Sequence, residues 1–315
     1  MRCSSKVRGL LRKPAKCAFS IDVEDWFHIL DVPGIPDFSK WGSLPSRVEA
    51  NFLRLLDLFS EERKQVTCFF LGWVAERFPH LVREAAQRGH EIASHGYSHR
   101  LVYTMTQREF GDEIQHSRLL LEDIIGSPVI GYRAPGFSFT KATPWFFEEV
   151  SRSGYFYDSS VFPARRSHGG DRNGQLEPYS LLSGRMMEFP ITQSQIGPIR
   201  LCFFGGGYLR LFPYPVIRLM ANRQIDEGRS LIFYVHPREI DPRHPRIPMS
   251  TYRKLKTYVN LDTTEAKIIR IIRDFPITTC RDVLFGDTAA RYTGAECASV
   301  ASKPGSWAPS FRTGE

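Results

Sequence analysis

Cysteine is scarce in this chain, which has six cysteines among 315 residues and no Cys-x-x-Cys pair. The lack of such pairs argues against dithiol redox centres and cysteine-rich zinc modules, which depend on closely spaced thiolates. Several cysteines, such as Cys68 and Cys202, lie instead within apolar, strand-like runs. We interpret them as reduced thiols that serve as small hydrophobic side chains, as is usual in the cytosol.

Long apolar runs are also missing. After its basic start the chain offers only Gly9-Leu10-Leu11 before Arg12, whereas a secretory signal needs an apolar stretch of about 7 to 15 residues. A membrane-spanning helix would need about 20 such residues. The sequence therefore predicts no signal peptide, no transmembrane segment and a cytoplasmic location, with peripheral association with a membrane left open.

Acidic residues are absent from the first sixteen positions, while the whole chain has a formal net charge of +8. Six of these eight charges belong to the leader, which carries Arg2, Lys6, Arg8, Arg12, Lys13 and Lys16. The rest of the chain is nearly balanced, so the charge does not indicate a nucleic-acid partner. We interpret residues 1–16 as a disordered basic leader, 17–285 as one domain and 286–315 as a disordered tail.

Strand and helix signals alternate between these two ends. Ser46 with Glu49, and Thr106 with Glu109, have the spacing of capping boxes, and Gly126 is placed to end the helix that Thr106 begins. Short apolar runs separate the predicted helices. This alternation predicts an α/β fold with parallel strands, and residues 163–185, which are polar and rich in glycine, are predicted to form an insertion or lid.

Three carboxylates crowd the end of the first apolar run, at Asp22, Glu24 and Asp25. Acids placed together there are costly unless a cation or a reaction uses them, although acids at a strand end can also cap a helix. Further along, His95 and His99 are four residues apart. Such a pair can be polar surface, but two imidazoles and one acid also make an open metal site.

Three more polar clusters follow apolar runs, in residues 131–138, 157–160 and 233–239. The carboxyl ends of parallel strands meet at one edge of a sheet, where α/β folds build their sites. We therefore expect these clusters to meet the acids and the histidines at one edge.

Taken in order, these motifs resemble the polysaccharide deacetylases of carbohydrate esterase family four, the NodB-homology proteins, which remove acetyl groups from N-acetylated sugars. The Asp-Val-Glu-Asp-Trp-Phe opening, the Arg-Ala-Pro segment and residues 203–210 are similar to the branch associated with bacterial exopolysaccharide and exosortase gene clusters. The resemblance covers about residues 17–284. It implies a distorted, incomplete (β/α) barrel of seven strands.

The resemblance also implies roles for single residues. It assigns the general base to Asp22, a following acid to the metal together with His95 and His99, and the general acid to His236. Arg133 would orient Asp22 and keep it ionised. Asp158 would hold the imidazole of His236 in its protonated orientation.

The chain departs from the commoner family pattern at two places. Val23 stands where a second aspartate is usual, so Glu24 or Asp25 must reach the metal, and strand periodicity favours Glu24, which shares a face with Asp22. Arg238 replaces the tryptophan that usually follows His-Pro in this branch. The candidates to line a sugar groove are Trp26, Pro135, Phe137 and Tyr208.

The sequence thus predicts a metal-dependent hydrolase that removes N-acetyl groups from the amino sugars of a saccharide, with zinc as the default ion and cobalt, nickel or iron as alternatives. Three other functions stay open. They are an amidase of the same fold acting on a small nitrogen compound, as in allantoinases, an inactive carbohydrate-binding protein, and a non-haem iron oxygenase. The oxygenases normally place their acid two residues from the first histidine, unlike this chain.

Overall fold

The structure is a computed structural model that describes residues 16–30, 32, 34–166 and 168–286. Apart from residues 16 and 286, the predicted basic leader and the predicted C-terminal tail lie outside the described residues.

Strands and helices alternate along the described chain. The strands are β1 (Cys17–Val23), β2 (Thr67–Phe70), β3 (Glu91–Ser94), β4 (Gly131–Tyr132), β5 (Tyr157–Asp158), β6 (Tyr179–Leu181), β7 (Met186–Glu188), β8 (Ser194–Ile196), β9 (Ile199–Leu201), β10 (Leu231–Val235) and β11 (Ile277–Thr278). The helices are α1 (Val48–Glu61), α2 (Gly72–Arg77), α3 (Pro79–Gln87), α4 (Gln107–Ile125), α5 (Phe146–Arg152), α6 (Gly206–Leu211), α7 (Tyr214–Asp226), α8 (Thr251–Tyr258), α9 (Leu261–Asp274) and α10 (Cys280–Phe285).

One curled sheet organises the molecule. Seven strands follow one another in parallel in the order β10-β1-β2-β3-β4-β5-β7. The short strand β6 adds an antiparallel edge to β7, β11 also pairs with β1, and β8 and β9 form a separate antiparallel pair. The predicted α/β fold, a distorted and incomplete (β/α) barrel, is therefore confirmed, and β6 and β11 extend its seven parallel strands.

The central strand β1 is buried on both faces, as strands of parallel sheets usually are. On one face Phe19 packs edge-on against Phe59 of α1, with ring centroids 4.8 Å apart. Ala18, on the other face, belongs to a second apolar cluster that includes Phe69 and Ile232 of the flanking strands. Because side chains alternate along a strand, this second face is also the face of Ser20 and Asp22.

Strand register brings the polar motifs to one edge. Ile21 of β1 lies opposite Val235 of β10, so Asp22 and His236 follow side by side. Phe70 of β2 pairs with both Val23 and Ser94, so Glu24 and His95 also leave the sheet at the same edge. This edge is the one that the sequence predicted for the site.

Helix α4 holds the loop that joins the two histidines. The Glu113 carboxylate accepts hydrogen bonds from the backbone N–H groups of Tyr97 and Ser98, at 3.3 and 3.2 Å, and from the Ser98 hydroxyl at 2.8 Å. The Ser117 hydroxyl donates to the carbonyl of Gly96 at 3.0 Å. The position of His99 therefore depends on how firmly α4 is anchored.

The capping box predicted at the start of α4 is confirmed. The Thr106 hydroxyl accepts from the Glu109 N–H, and the Glu109 carboxylate accepts from the Thr106 N–H at 2.7 Å. Gly126 ends the helix in the left-handed conformation, with φ 66°. The box predicted at Ser46 is wrong, because α1 begins after Arg47 and the Ser46 hydroxyl donates instead to Asp25 at 2.5 Å.

Removal of the α4 cap tests this anchoring. We expect Thr106→Ala to lower the free energy of unfolding by about 1 kcal/mol, because the exposed N-terminus of α4 loses its side-chain acceptor. Thr106→Ser keeps the hydroxyl and is the matched control. Urea denaturation followed by circular dichroism measures both variants, and equal stability of the two would contradict a capping role.

Candidate metal and catalytic site

Three potential metal ligands converge at the carboxyl ends of β1 and β3. The Oε1 atom of Glu24 lies 3.1 Å from Nε2 of His95 and 2.9 Å from Nε2 of His99. All three side chains are buried, with at most 6% of each residue exposed. These atoms are close enough together to bind a single ion, and the set of two imidazoles and one carboxylate is typical of open divalent-metal sites.

Hydrogen bonding gives His95 the tautomer that a metal ligand needs. Its Nδ1 lies 2.8 Å from the carbonyl oxygen of Arg133, so Nδ1 carries the proton and donates. In the neutral ring Nε2 then holds a lone pair and faces the Glu24 carboxylate, which is also an acceptor. Such a contact is favourable only with a proton or a cation between the two atoms, so these residues fit a bound metal ion.

Electrostatics favour a charged Glu24 carboxylate and shift the pKa values of the two imidazoles in opposite directions. Burial raises the pKa of Glu24, but the imidazoles of His99 and His236 outweigh it and hold that pKa well below its usual range. Burial lowers the pKa of His99. Burial also lowers the pKa of His95, but the hydrogen bond to Glu24 and the charge of Asp22 outweigh it and raise that pKa. A charged carboxylate and a neutral imidazole are the forms in which these side chains bind metals.

Asp25, the alternative acid for the metal, faces elsewhere. Its carboxylate accepts from the Trp26 N–H at 2.8 Å, from the Arg47 N–H and from the Ser46 hydroxyl. It caps the short 3₁₀ helix Trp26–His28. Asp25 does not fit a metal ligand, because these hydrogen bonds engage its carboxylate and it lies outside the cluster of Glu24, His95 and His99.

A fully buried ion pair lies next to the three potential ligands. Nη1 of Arg133 donates to Oδ1 of Asp22 at 2.6 Å and to the Ser20 hydroxyl at 2.8 Å. The guanidinium carbon also lies 4.0 Å from the ring centroid of Phe69, a cation–π contact. Arg133 is thus placed to orient Asp22, as the sequence predicted.

His236 completes the cluster. Its Nε2 lies 3.9 Å from Oδ2 of Asp22 and 3.7 Å from Oε1 of Glu24. Its Nδ1 lies 3.5 Å from Oε1 of Glu239, a buried acid. Burial raises the pKa of Glu239, but the charge of Arg210 and the neighbouring His236 hold it at about 2. The carboxylate beside Nδ1 of His236 is therefore that of Glu239.

Asp158 does not contact His236, so its predicted role is wrong. It accepts from the Ser160 N–H at 3.0 Å and from the Ser160 hydroxyl at 2.6 Å, and it lies in register with Glu188 of β7. The physical reason is its strand: β5 is separated from β10 in the sheet order by four other strands.

A groove of about 660 Å³ opens over these residues. Phe137 and Tyr208, two of the predicted sugar-contacting residues, line it, together with Asp22, Glu24, His95, His99 and His236. Trp26 and Pro135 do not line it, so those two predictions are wrong. The Trp26 indole is turned into the protein and donates to the Pro45 carbonyl at 2.9 Å, and Pro135 is buried where it opens a 3₁₀ turn.

Several groove residues had no role predicted from the sequence. Arg238, noted only as a missing tryptophan, forms an ion pair with Oε2 of Glu24 at 3.0 Å. His28 ends the acidic opening motif and lines the groove. Its Nδ1 accepts from the Asp25 N–H at 3.0 Å, so in the neutral ring Nε2 carries the proton, and this atom has no hydrogen-bond partner among the described residues. The sequence signal for these two residues was their closeness to predicted site residues, since His28 lies three positions after Asp25 and Arg238 two positions after His236.

Within the described part of the chain, no helix is both long and apolar enough to cross a membrane.

Comparison with known proteins divides the chain into two adjoining matches. A family model described as "Polysaccharide deacetylase" matches residues 42–155, and one described as "Domain of unknown function (DUF3473)" matches residues 159–285. Strands from both segments share the one sheet, since β2, β3 and β4 belong to the first segment and β7 and β10 to the second. Strand β1, which carries Asp22, precedes both matched segments.

A peptidoglycan deacetylase from Helicobacter pylori is 33% identical over 154 residues, which is 48% of this chain and 51% of that protein. The chain spans about half the length of the curated relatives it matches.

Two solved structures share the fold. One, assigned as a polysaccharide deacetylase from Mycobacterium smegmatis, has a TM-score of 0.57 and 21% identity, with 97% of this chain and 98% of that one covered. The other, Puue allantoinase, has a TM-score of 0.57 and 15% identity, with 90% and 91% covered. The match of residues 42–155 shows that the chain carries a domain of the polysaccharide deacetylase family, as predicted, while the exosortase-associated branch stays a prediction.

Proposed function

We propose that this protein is a metal-dependent hydrolase that removes N-acetyl groups from amino sugars of a saccharide. One observation carries the proposal. Three sets of groups that amide hydrolysis needs meet within a few ångströms around one groove. They are Asp22 with Arg133, Glu24 with His95 and His99, and His236 with Glu239.

Glu24, His95 and His99 would hold the metal, and zinc is the default ion for this set. A divalent ion bound there would acidify a water and polarise the acetyl carbonyl. The chain's own contribution is a dry, fixed ligand set. The hydrogen bond from His95 to the Arg133 carbonyl fixes one ring, and the loop bonds to Glu113 fix the approach to the other.

Asp22 would act as the general base. The Arg133 guanidinium occupies its Oδ1, which leaves Oδ2 turned toward His236 and the groove. A carboxylate held in this way can take the proton of the attacking water without changing its own position.

His236 would donate a proton to the departing nitrogen. Its Nε2 faces Asp22 and Glu24, and its Nδ1 faces Glu239. Each ring nitrogen therefore has a carboxylate nearby that can accept a hydrogen bond from it. The Glu239 carboxylate would stabilise the protonated ring and keep it oriented, because a neighbouring negative charge favours the charged form of an imidazole.

The saccharide class of substrate is supported by the curated relatives, whose names refer to peptidoglycan deacetylation. The allantoinase structure shares the fold but not the sequence, so it shows that the fold alone does not select the substrate. We further propose that residues 17–285 act as one catalytic domain, because β1 and β10, which carry Asp22 and His236, are neighbours in one sheet.

Loss of one imidazole tests the metal site. We expect His95→Ala to abolish tight zinc binding and acetate release together, because the buried site then retains only two ligands. Metal content after dialysis, measured by plasma mass spectrometry, is read alongside acetate released from N-acetylglucosamine tetramer. Treatment of the wild type with a chelator should reproduce the loss of activity, and added zinc should restore it.

His80→Ala is the matched control for that variant. His80 is an exposed histidine that contacts Glu49, far from the groove, and its loss should leave both zinc content and acetate release unchanged. Undiminished activity of His95→Ala in metal-free buffer would rule out the proposed site.

A pair of neighbouring acids tests the choice of carboxylate. We expect Glu24→Gln to weaken zinc binding by at least about 100-fold, since even outer-shell partners are worth about 10- to 100-fold. Asp25→Asn should retain zinc and instead lower the free energy of unfolding by about 1–3 kcal/mol, because it loses charged hydrogen bonds to the chain. Zinc titration calorimetry and urea denaturation separate the two effects, and the reverse outcome would show that Asp25 is the ligand.

Replacement of the base tests the catalytic step. We expect Asp22→Asn to lower kcat for acetate release by about 10²–10⁴-fold, the usual contribution of a positioned base. Zinc content should stay at the wild-type level, because Asp22 lies outside the set of three ligands. A variant that loses zinc as well as activity would instead assign Asp22 to the metal.

A further inference from the structure

The outer part of the groove is rich in cations. Its acids lie deep and each has a basic partner: Asp22 pairs with Arg133, Glu24 with Arg238, and Glu239 with Arg210. The remaining charged residues of the lining are all basic, namely Arg165, Arg166, Arg253 and Lys256. After these pairs are set aside, Arg165, Arg166 and Lys256 give the groove an excess of positive charge.

Two of these cations face the groove without an acid to balance them. In the described part of the chain no carboxylate lies within ion-pair distance of Arg166 or Lys256. Desolvation lowers the pKa of Lys256, and the charges of Arg166, Arg253 and Arg210 lower it further. Like charges so placed repel one another, and a bound anion would relieve the repulsion.

Packing fixes the direction of Arg166. Its guanidinium carbon lies 4.8 Å from the ring centroid of Phe137 and 4.8 Å from that of Phe162. Its Nη1 is enclosed and makes no hydrogen bond to a described residue. A guanidinium stacked in this way is pre-oriented for bidentate hydrogen bonds to a carboxylate or a phosphate.

The cations lie close to the reacting groups. Phe137 has Arg166 stacked on it and also lies 5.6 Å from the guanidinium carbon of Arg133, the partner of Asp22. Lys256 lies over the ring of Tyr208, at 5.7 Å, and that ring is partly exposed in the groove. An aromatic surface for a sugar ring therefore adjoins a binding site for an anion.

We propose that the groove selects an anionic saccharide, in which a carboxylate or phosphate on a sugar near the acetylated one binds Arg166 and Lys256. This inference rests on the proposed function for the acetyl group and adds the charge of the substrate. The carboxylate of a uronic acid and the phosphate of a sugar phosphate share the required chemistry.

Equilibrium binding tests the inference without depending on hydrolysis. Three probes are compared by calorimetry at 50 and 200 mM salt: N-acetylglucosamine tetramer, a tetrasaccharide alternating glucuronate and N-acetylglucosamine, and N-acetylglucosamine dimer phosphate. We expect at least one anionic probe to bind about tenfold or more tightly than the neutral one, as a charged hydrogen bond implies, and to weaken more with salt. Preference between the two anionic probes identifies the source of the charge.

Matched variants locate the binding site for the anion. Arg166→Gln and Lys256→Gln should each reduce the ratio of anionic to neutral affinity by about tenfold. Arg83→Gln removes the same charge from the exposed face of α3 and should leave that ratio unchanged. Thermal unfolding of each variant checks that it folds. Lys256→Met is used in place of Lys256→Gln if that variant does not fold.

The outcomes separate this inference from the proposed function. The anionic preference is overturned if the wild type binds all three probes with equal affinity, or if Arg83→Gln reduces the ratio of anionic to neutral affinity as much as Arg166→Gln does. Either result counts even where acetate is released from the neutral tetramer. Anion-dependent binding that Arg166→Gln weakens, with no acetate released from any probe, upholds the preference and overturns the deacetylase proposal.

Discussion

A single buried guanidinium holds the site together. Arg133 is fully buried, and it donates hydrogen bonds to Asp22, to the Ser20 hydroxyl and to Ser159. It thereby links β4 with β1 and with the segment that follows β5. A carboxylate as deeply buried as Asp22 is tolerable only with such a partner, since breaking a buried ion pair costs about 3–5 kcal/mol. The position of Asp22, which we propose as the base, and the packing of these strands therefore depend on the same contact.

Asp158 supports this contact from the other side of the sheet. The Ser160 hydroxyl donates to Asp158 and accepts from the Ala134 N–H at 2.7 Å, which fixes the chain immediately after Arg133. Burial raises the pKa of Asp158, and burial together with Asp158 raises the pKa of Glu188 well above its usual range. Both shifts favour protonation, which lowers the negative charge that the pair presents beside Arg133.

The groove combines two electrostatic zones. The acids deep in the groove are paired with basic residues, since Arg238 forms an ion pair with Glu24 and Arg210 forms one with Glu239. Its rim carries basic residues and exposed aromatic rings, including Tyr252, which is 74% exposed. Arg238, at the position where the branch that the sequence resembles usually has a tryptophan, supplies a charge that contacts a candidate metal ligand.

Sequence reasoning was most successful where local rules are strong. The capping box at Thr106 and the alternation of strands and helices required only neighbouring residues, and both are confirmed. Strand periodicity also favoured Glu24 over Asp25 as the metal ligand, and in the structure Glu24 lies beside His95 while Asp25 bonds Ser46. It failed where a polar side chain had several partners available, as at Ser46, whose hydroxyl bonds Asp25 rather than the helix that follows it.

The sequence by itself determined the fold class, the family and the residue types gathered at the strand ends, because these follow from hydrophobic period and motif order. The tertiary structure decided which of those side chains meet. The order of strands in the sheet separates Asp158 from His236, so the acid beside that ring is Glu239, three residues along the same segment. Pairing between distant strands depends on how the whole sheet curls, and no local pattern records that curvature.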